Sequence, residues 1–128
     1  METKQIVEAY FDALASGELE RALASFTSDT KWSQPGNNKF SGIKNNLKEI
    51  IEMFAGIMKD TAGNMTVRPN GAMMENGNLI AVPVWFSAKN AKGSMDLGGL
   101  DLFEVINGKI LQVWTFSDNQ QVDDDFWG

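Results

Sequence analysis

The stretch that decides the fold is Leu97–Asp118, LGGLDLFEVINGKILQVWTFSD. It reads as two long strands joined by Asn107-Gly108, a pair that accepts positive φ at both centres of a type I′ hairpin turn. A two-residue turn sets the register. With Ile106 opposite Lys109, Phe103 is expected to face Gln112, Asp101 to face Trp114 and Gly99 to face Phe116, all on one side of the sheet. Leu100, Leu102, Leu111, Val113 and Thr115 then share the other side. The first face mixes large aromatics with a carboxylate and an amide, and so reads as the wall of a pocket. Asp101, flanked by Phe103 and Trp114, loses hydration unless a group donates to it. It is therefore protonated, paired with Tyr10 or hydrogen-bonded by Gln112, or else it sits at the open end of the sheet and reaches water.

Working back from the hairpin, a period of two predicts a strand near Met65–Glu75, a tight Asn76-Gly77 turn and a strand Leu79–Ala88. Pro83 cannot donate to a ladder, which predicts a bulge or an unpaired amide position there. Further upstream the period becomes helical. Ile6, Val7, Tyr10, Phe11 and Leu14 define a helix over residues 4–16, stopped by Gly17. A short second helix spans Glu18–Phe26, Thr30–Gly36 is a strand ended by Pro35-Gly36, and Asn37–Gly42 is a polar loop. Leu47, Ile50, Ile51, Phe54 and Ile57 lie along a third helix, Ile43–Met58. Downstream, Asn119–Gly128 is a short polar tail ending in Phe126-Trp127, which covers either the pocket mouth or the dimer seam.

Helices first and a meander of antiparallel strands after them predict an α+β fold, with the helices on one face of a curved sheet. Val82, Val84 and Phe86 alternate with Ala81, Pro83 and Trp85, so both sheet faces are apolar. A half-solvated sheet is not built this way, and the outer face is expected to pair with a second copy in a homodimer.

The 128 residues fit one domain, with no linker, repeat or low-complexity run. Hydrophobic residues at 43% and charged residues at 22% are ordinary for a soluble globular chain. A net charge of −6 argues against nucleic acid, whose phosphates need clustered Lys and Arg. With no Cys and no His, thiolate chemistry, Cys–His zinc sites and serine-type triads are excluded. Chemistry here must rest on Asp, Glu, Tyr or Lys, and neither a metal nor a cofactor is expected. Met1 leads into polar helical sequence and no window is long and apolar enough for a bilayer span, so no membrane association and a cytoplasmic location are expected.

The run YFDALASGELERALASF at Tyr10–Phe26, then Trp32 with Gln34-Pro35-Gly36, Gly42 ahead of the long helix, and NGKILQVWTFSD together cover nearly the whole chain. In order and spacing they resemble the nuclear transport factor two-like superfamily, in its SnoaL-like and steroid delta-isomerase-like branches. The resemblance implies a cone: a curved antiparallel sheet wrapped around N-terminal helices, with an apolar pocket between them. It also implies activities as varied as polyketide cyclisation, epoxide hydrolysis, dehydration and ketosteroid isomerisation. In ketosteroid isomerases a tyrosine of the first helix and a protonated aspartic acid of a late strand form the oxyanion hole, and the matching positions are Tyr10 and Asp101. Their base is an aspartate before a proline. Here that position is Gln34, which cannot abstract a proton.

The expected catalytic residues are Tyr10 and a neutral Asp101, which donate to an enolate-like oxygen, and Asp118 as the base. Tyr10 is alternatively a plain core aromatic, and Asp118 alternatively the N-cap of a short tail helix. Trp32, Gln34, Phe54, Trp85, Phe103, Gln112, Trp114 and Phe116 are expected to contact the ligand. Asp123-Asp124-Asp125 reads as a solvated acidic tail. The expected function is cofactor-independent proton transfer beside a carbonyl, of isomerase or cyclase type, on an apolar cyclic substrate. The alternative is a non-catalytic binding protein for a hydrophobic metabolite.

Overall fold

Two layers, a curved seven-stranded sheet and the helices packed in its concave side, make up the computed structural model, which describes residues 2–128. Helix α1 (Thr3–Ala15) buries Ile6, Val7, Tyr10 and Phe11, the stripe expected from their spacing. Gln5 accepts from the Glu2 backbone N–H at 2.9 Å and so satisfies one donor of its first turn. The second helix is shorter than its sequence suggests: α2 (Leu19–Ala22) tightens into a 3-10 turn at Leu23–Ser25, and strand β1 already begins at Phe26.

β1 (Phe26–Gln34) and β2 (Gly42–Lys44) precede α3 (Leu47–Thr61), whose N-cap Asn46 accepts from the Glu49 N–H at 3.0 Å. The rest of the sheet is β3 (Met65–Pro69), β4 (Met74–Asn76), β5 (Leu79–Asn90), β6 (Gly93–Ile106) and β7 (Lys109–Ser117). The strand order is β2-β1-β7-β6-β5-β3, with β4 also paired to β5, and the sheet does not close. Every pairing is antiparallel except one. β1 lies parallel to β7, which a simple meander does not provide.

Pro83 produces no bulge, since β5 and β6 stay in register through the pair Pro83↔Leu100. The unpaired position lies on the other side. β3 leaves β5 after Pro69↔Val84 and β4 joins it at Met74↔Ala81, so the proline sits where no strand asks for its missing N–H.

Asn107 (φ 52°) and Gly108 (φ 76°) form the expected turn, and Ile106↔Lys109 and Val105↔Ile110 are paired. The register then slips. Glu104 opposes Gln112, leaving Leu111 as an extra residue on β7, so Phe103 faces Val113, Leu102 faces Trp114 and Asp101 faces Thr115. Because side chains alternate, one bulge transfers every later β7 residue to the opposite face from that expected. The inner face carries Ile80, Val82, Val84, Phe103, Val105, Ile110 and Val113, all buried against α1 and α3. Each such side chain contributes about 1.5–3 kcal/mol by leaving water.

The tail is also not solvated. Residues Gln120–Trp127 form α4, with Asn119 Oδ1 accepting from the Val122 N–H at 3.2 Å as its N-cap. Asp123, Phe126 and Trp127 are buried on one side of it. Asp124 accepts from the Asn37 N–H at 3.0 Å and from Asn38 Nδ2 at 2.8 Å. Asn90 Nδ2 donates to the Phe126 carbonyl at 3.1 Å. Gly36 (φ 85°) lets the helix seat, because any Cβ there would collide with Gln120 and Asp124.

Candidate functional site

Between α1, α3, α4 and the inner face of the sheet lies a cavity of about 400 Å³, within the size range of small-molecule sites. Most of its wall is apolar, with Leu14, Met53, Phe54, Ile57, Met65, Val67 and Phe86 among the contributors. Polar residues on the wall are Tyr10, Gln34, Thr66, Asp101, Thr115, Ser117 and Asp123.

Tyr10 reaches the cavity from α1 and is fixed by aromatic contacts. Its ring stacks on Phe26 at 5.7 Å and meets Phe11 and Phe103 edge-on at 5.1 Å and 5.4 Å. Burial, reinforced by the nearby charge of Asp101, pushes its pKa well above the ordinary value. The hydroxyl therefore keeps its proton at any working pH and can only act as a hydrogen-bonding group.

Asp101 projects from β6 and is 7% exposed. Burial raises its pKa to about 7, with no hydrogen bond opposing the shift. Neither of its expected partners donates to it: Tyr10 makes no hydrogen bond to it and Gln112 lies on the other face, so its oxygens are accessible from the cavity they line rather than sealed in the core. A carboxyl poised near neutrality can take up or give back a proton with little driving force in either direction.

Gln34 at the end of β1 is held in one orientation. Its Oε1 accepts from Trp32 Nε1 at 2.9 Å and from Thr115 Oγ1 at 3.2 Å. An indole N–H only donates, so the amide oxygen is assigned and Nε2 is left as a donor. Thr115 lies directly across from Asp101, which brings the amide and the carboxyl into one polar patch. Asp123 of α4 is 4% exposed. Its oxygens accept from Trp127 Nε1 and Gln120 Nε2, each at 3.0 Å. Burial raises its pKa while these two bonds oppose the shift.

Of the residues expected at the site, Tyr10, Asp101, Trp32, Gln34 and Phe54 meet at the cavity, and Phe116, 48% exposed, touches its rim. Phe103 is fully buried behind Tyr10 and does not reach the open space. Trp85, Gln112 and Trp114 lie on the outer face, the last two because of the Leu111 bulge and Trp85 because it alternates with the inward Val84 and Phe86. Asp118 is exposed and covers Gly98 beside Trp85, away from the cavity, and the N-cap of α4 is its neighbour Asn119. Thr115 and Asp123 were not expected here, and Trp127, left open between pocket mouth and dimer seam, lines the cavity. The i, i+4 spacing of Asp123 and Trp127 behind Asn119 is the sequence signal for the last two.

Among the described residues no group of carboxylates is arranged to hold a metal ion, and no helix is long and apolar enough to cross a membrane.

Comparison with known proteins places this geometry. A protein of unknown function with a cystatin-like fold from Xanthomonas campestris is 29% identical, with a TM-score of 0.94 over 100% of this chain and 99% of that one. TerC, co-crystallised with polyporic acid, is 16% identical, with a TM-score of 0.84 over 97% of this chain and 96% of its own. IdmH, a putative polyketide cyclase from Streptomyces antibioticus, is 16% identical, with a TM-score of 0.76 over 97% of this chain and 98% of its own. No curated protein matches the sequence. The SnoaL-like domain model matches residues 7–113, most of the α+β cone and its cavity, and the chain belongs to that family.

Proposed function

We propose that the cavity is the site of a cofactor-independent proton transfer beside a carbonyl group of an apolar cyclic compound, of the isomerase or polyketide-cyclase kind. The observation that carries this reading is Asp101, a buried carboxyl without a hydrogen-bond partner, facing an apolar cavity next to the Tyr10 hydroxyl. In the proposed step the ionised Asp101 takes a proton from the carbon adjacent to the carbonyl. The C–H electron pair moves into a carbon–carbon double bond and negative charge collects on the oxygen. Tyr10 O–H and Gln34 Nε2–H donate to that oxygen as the charge grows, in a site where water does not compete. Asp101 then returns its proton to another carbon, or the enolate carbon attacks a second carbonyl, whose π pair moves onto its oxygen, and Asp101 gives its proton to the alkoxide so formed. Asp101 thus takes the role expected of Asp118, which lies outside the cavity. The likeness to IdmH and TerC supports a ring-containing ligand.

The test is deuterium uptake from heavy water at the α-carbon of a bicyclic ketone such as α-tetralone. Exchange above the buffer rate, lost in Asp101→Asn and reduced in Tyr10→Phe, is expected; equal exchange in all three proteins removes the mechanism. A second reading, a carrier that holds a hydrophobic metabolite unchanged, is favoured by Gln34, since no carboxylate of ordinary pKa faces the ligand. It predicts a retained ligand that is released chemically unaltered.

We also propose that the outer face pairs with a second copy of the chain. Trp85, Leu100, Leu102 and Trp114 form a half-buried apolar surface there, with Met74 and Phe116 exposed at its margins. An apolar surface of this kind on one side of a sheet is better suited to a partner than to water.

A further inference from the structure

Asp123 is an expensive residue to place in a cavity wall. If α4 only closed the cone, an apolar side chain at this position would do so without desolvating a carboxyl. Trp127 Nε1 and Gln120 Nε2 engage one oxygen each, and a carboxylate offers about four acceptor positions, so each oxygen keeps capacity for another donor. The position is fixed as well, because Asp124 and the Phe126 carbonyl tie α4 to Asn37, Asn38 and Asn90. Two other polar groups of the cavity have the opposite character: Tyr10 O–H and Gln34 Nε2 are donors suited to a carbonyl oxygen. The unpartnered, buried Asp101 independently marks the same cavity as a place where a ligand completes the hydrogen bonding.

We propose that Asp123 is a specificity-determining residue, selecting ring ketones that also carry a hydroxyl or N–H donor away from the carbonyl. The carbonyl is received by Tyr10 and Gln34, the ring body lies against the apolar wall, and the distal donor is received by Asp123. This inference rests on the reading of the cavity as a site for ring-containing carbonyl compounds and adds which of them it prefers.

The test is equilibrium binding, by quenching of tryptophan fluorescence, of α-tetralone, its ring-hydroxylated derivatives and the corresponding methoxy ethers. The peri-hydroxyl isomer is omitted because its hydroxyl bonds its own carbonyl. The protein as it stands is expected to bind the best hydroxyl derivative about tenfold or more tightly than α-tetralone, as for a hydrogen bond to a charged group, while the ethers gain nothing. Asp123→Asn keeps an oxygen for Trp127 and gives up only the acceptor for Gln120, whose Nε2 retains its bond to Asp124 at 3.0 Å. In this variant the ratio of hydroxyl-derivative to α-tetralone affinity is expected to fall below about twofold. Equal affinity for hydroxyl derivative and parent, or a preference that survives the substitution, overturns the proposal. Should the variant not fold, the hydroxyl-against-methoxy comparison on the unsubstituted protein decides. Deuterium exchange without a hydroxyl preference removes this inference and leaves the proton-transfer reading standing. Preference without exchange does the reverse, and absence of binding by every tetralone overturns both.

Discussion

The two faces of the β6–β7 hairpin use the same strands for opposite purposes. On the inner face Phe103, Val113 and Val105 are sealed against the helices, and the one carboxyl among them, Asp101, opens onto the cavity. On the outer face Leu102 and Trp114 are directly paired and half-buried, with Gln112 and Glu104 alongside. Large aromatics are therefore not what distinguishes the site. The distinguishing feature is a carboxyl that no side chain engages, opening onto the cavity, whereas the outer aromatics are half-buried among apolar neighbours.

That contrast breaks most visibly in activity. Asp101→Asn is expected to lower α-carbon exchange by roughly a thousandfold and Tyr10→Phe by roughly a hundredfold, while Trp114→Ala on the outer face leaves the rate per folded molecule within about twofold. A comparable loss from the outer-face substitution would put the chemistry on the wrong side of the sheet.

Neighbouring residues should differ as sharply in stability. Phe103→Ala is expected to cost about 3–5 kcal/mol in urea unfolding through the cavity it opens. Leu102→Lys should leave the fold intact but convert a dimer to a monomer in sedimentation, as an unpaired charge in an apolar interface would. A monomer in both proteins removes the proposed pairing.

The Asp101 carboxyl also sets a pH dependence. Its folded pKa of about 7 lies above the ordinary 3.8, so the folded state holds this proton more tightly than the unfolded chain. Its effect on stability is then most favourable below about pH 4 and declines as pH rises to about 7, by on the order of 4 kcal/mol. Asp101→Asn lacks the decline. The variant should be the more stable protein at about pH 8, and that gain should vanish near pH 4. A gain of the same size at both pH values would contradict the assignment.

At the small end, Asp118→Asn is expected to change stability by less than about 0.5 kcal/mol and to leave exchange unaltered, since the side chain is exposed and outside the cavity.

Legibility in the sequence followed the range of the interactions involved. Helical spacing in α1 and α3, the Asn-Gly turn and the alternation along β5 are local, and they carried the fold class. Tyr10, Trp32, Gln34 and Phe54 follow from where those elements lie in a cone. β7 did not, because the bulge at Leu111 depends on how two strands settle against the core and has no glycine or proline to announce it. A register counted from the turn without that bulge put Trp114 opposite Asp101 and Gln112 opposite Phe103, where the structure has Thr115 and Val113. The parallel seam between β1 and β7 is likewise a long-range pairing. α4 was a different failure: three adjacent aspartates suggested solvent, although Asn119 and the Asp123–Trp127 spacing describe a capped helix with one buried side.

The most direct test of the account is the titration of the Asp101 carboxyl carbon by NMR in selectively labelled protein, with Asp101→Asn to assign the resonance. A midpoint at about pH 7 is expected for a carboxyl enclosed in the cavity without a donor. A midpoint near 4, the ordinary value of an aspartate in water, would contradict it.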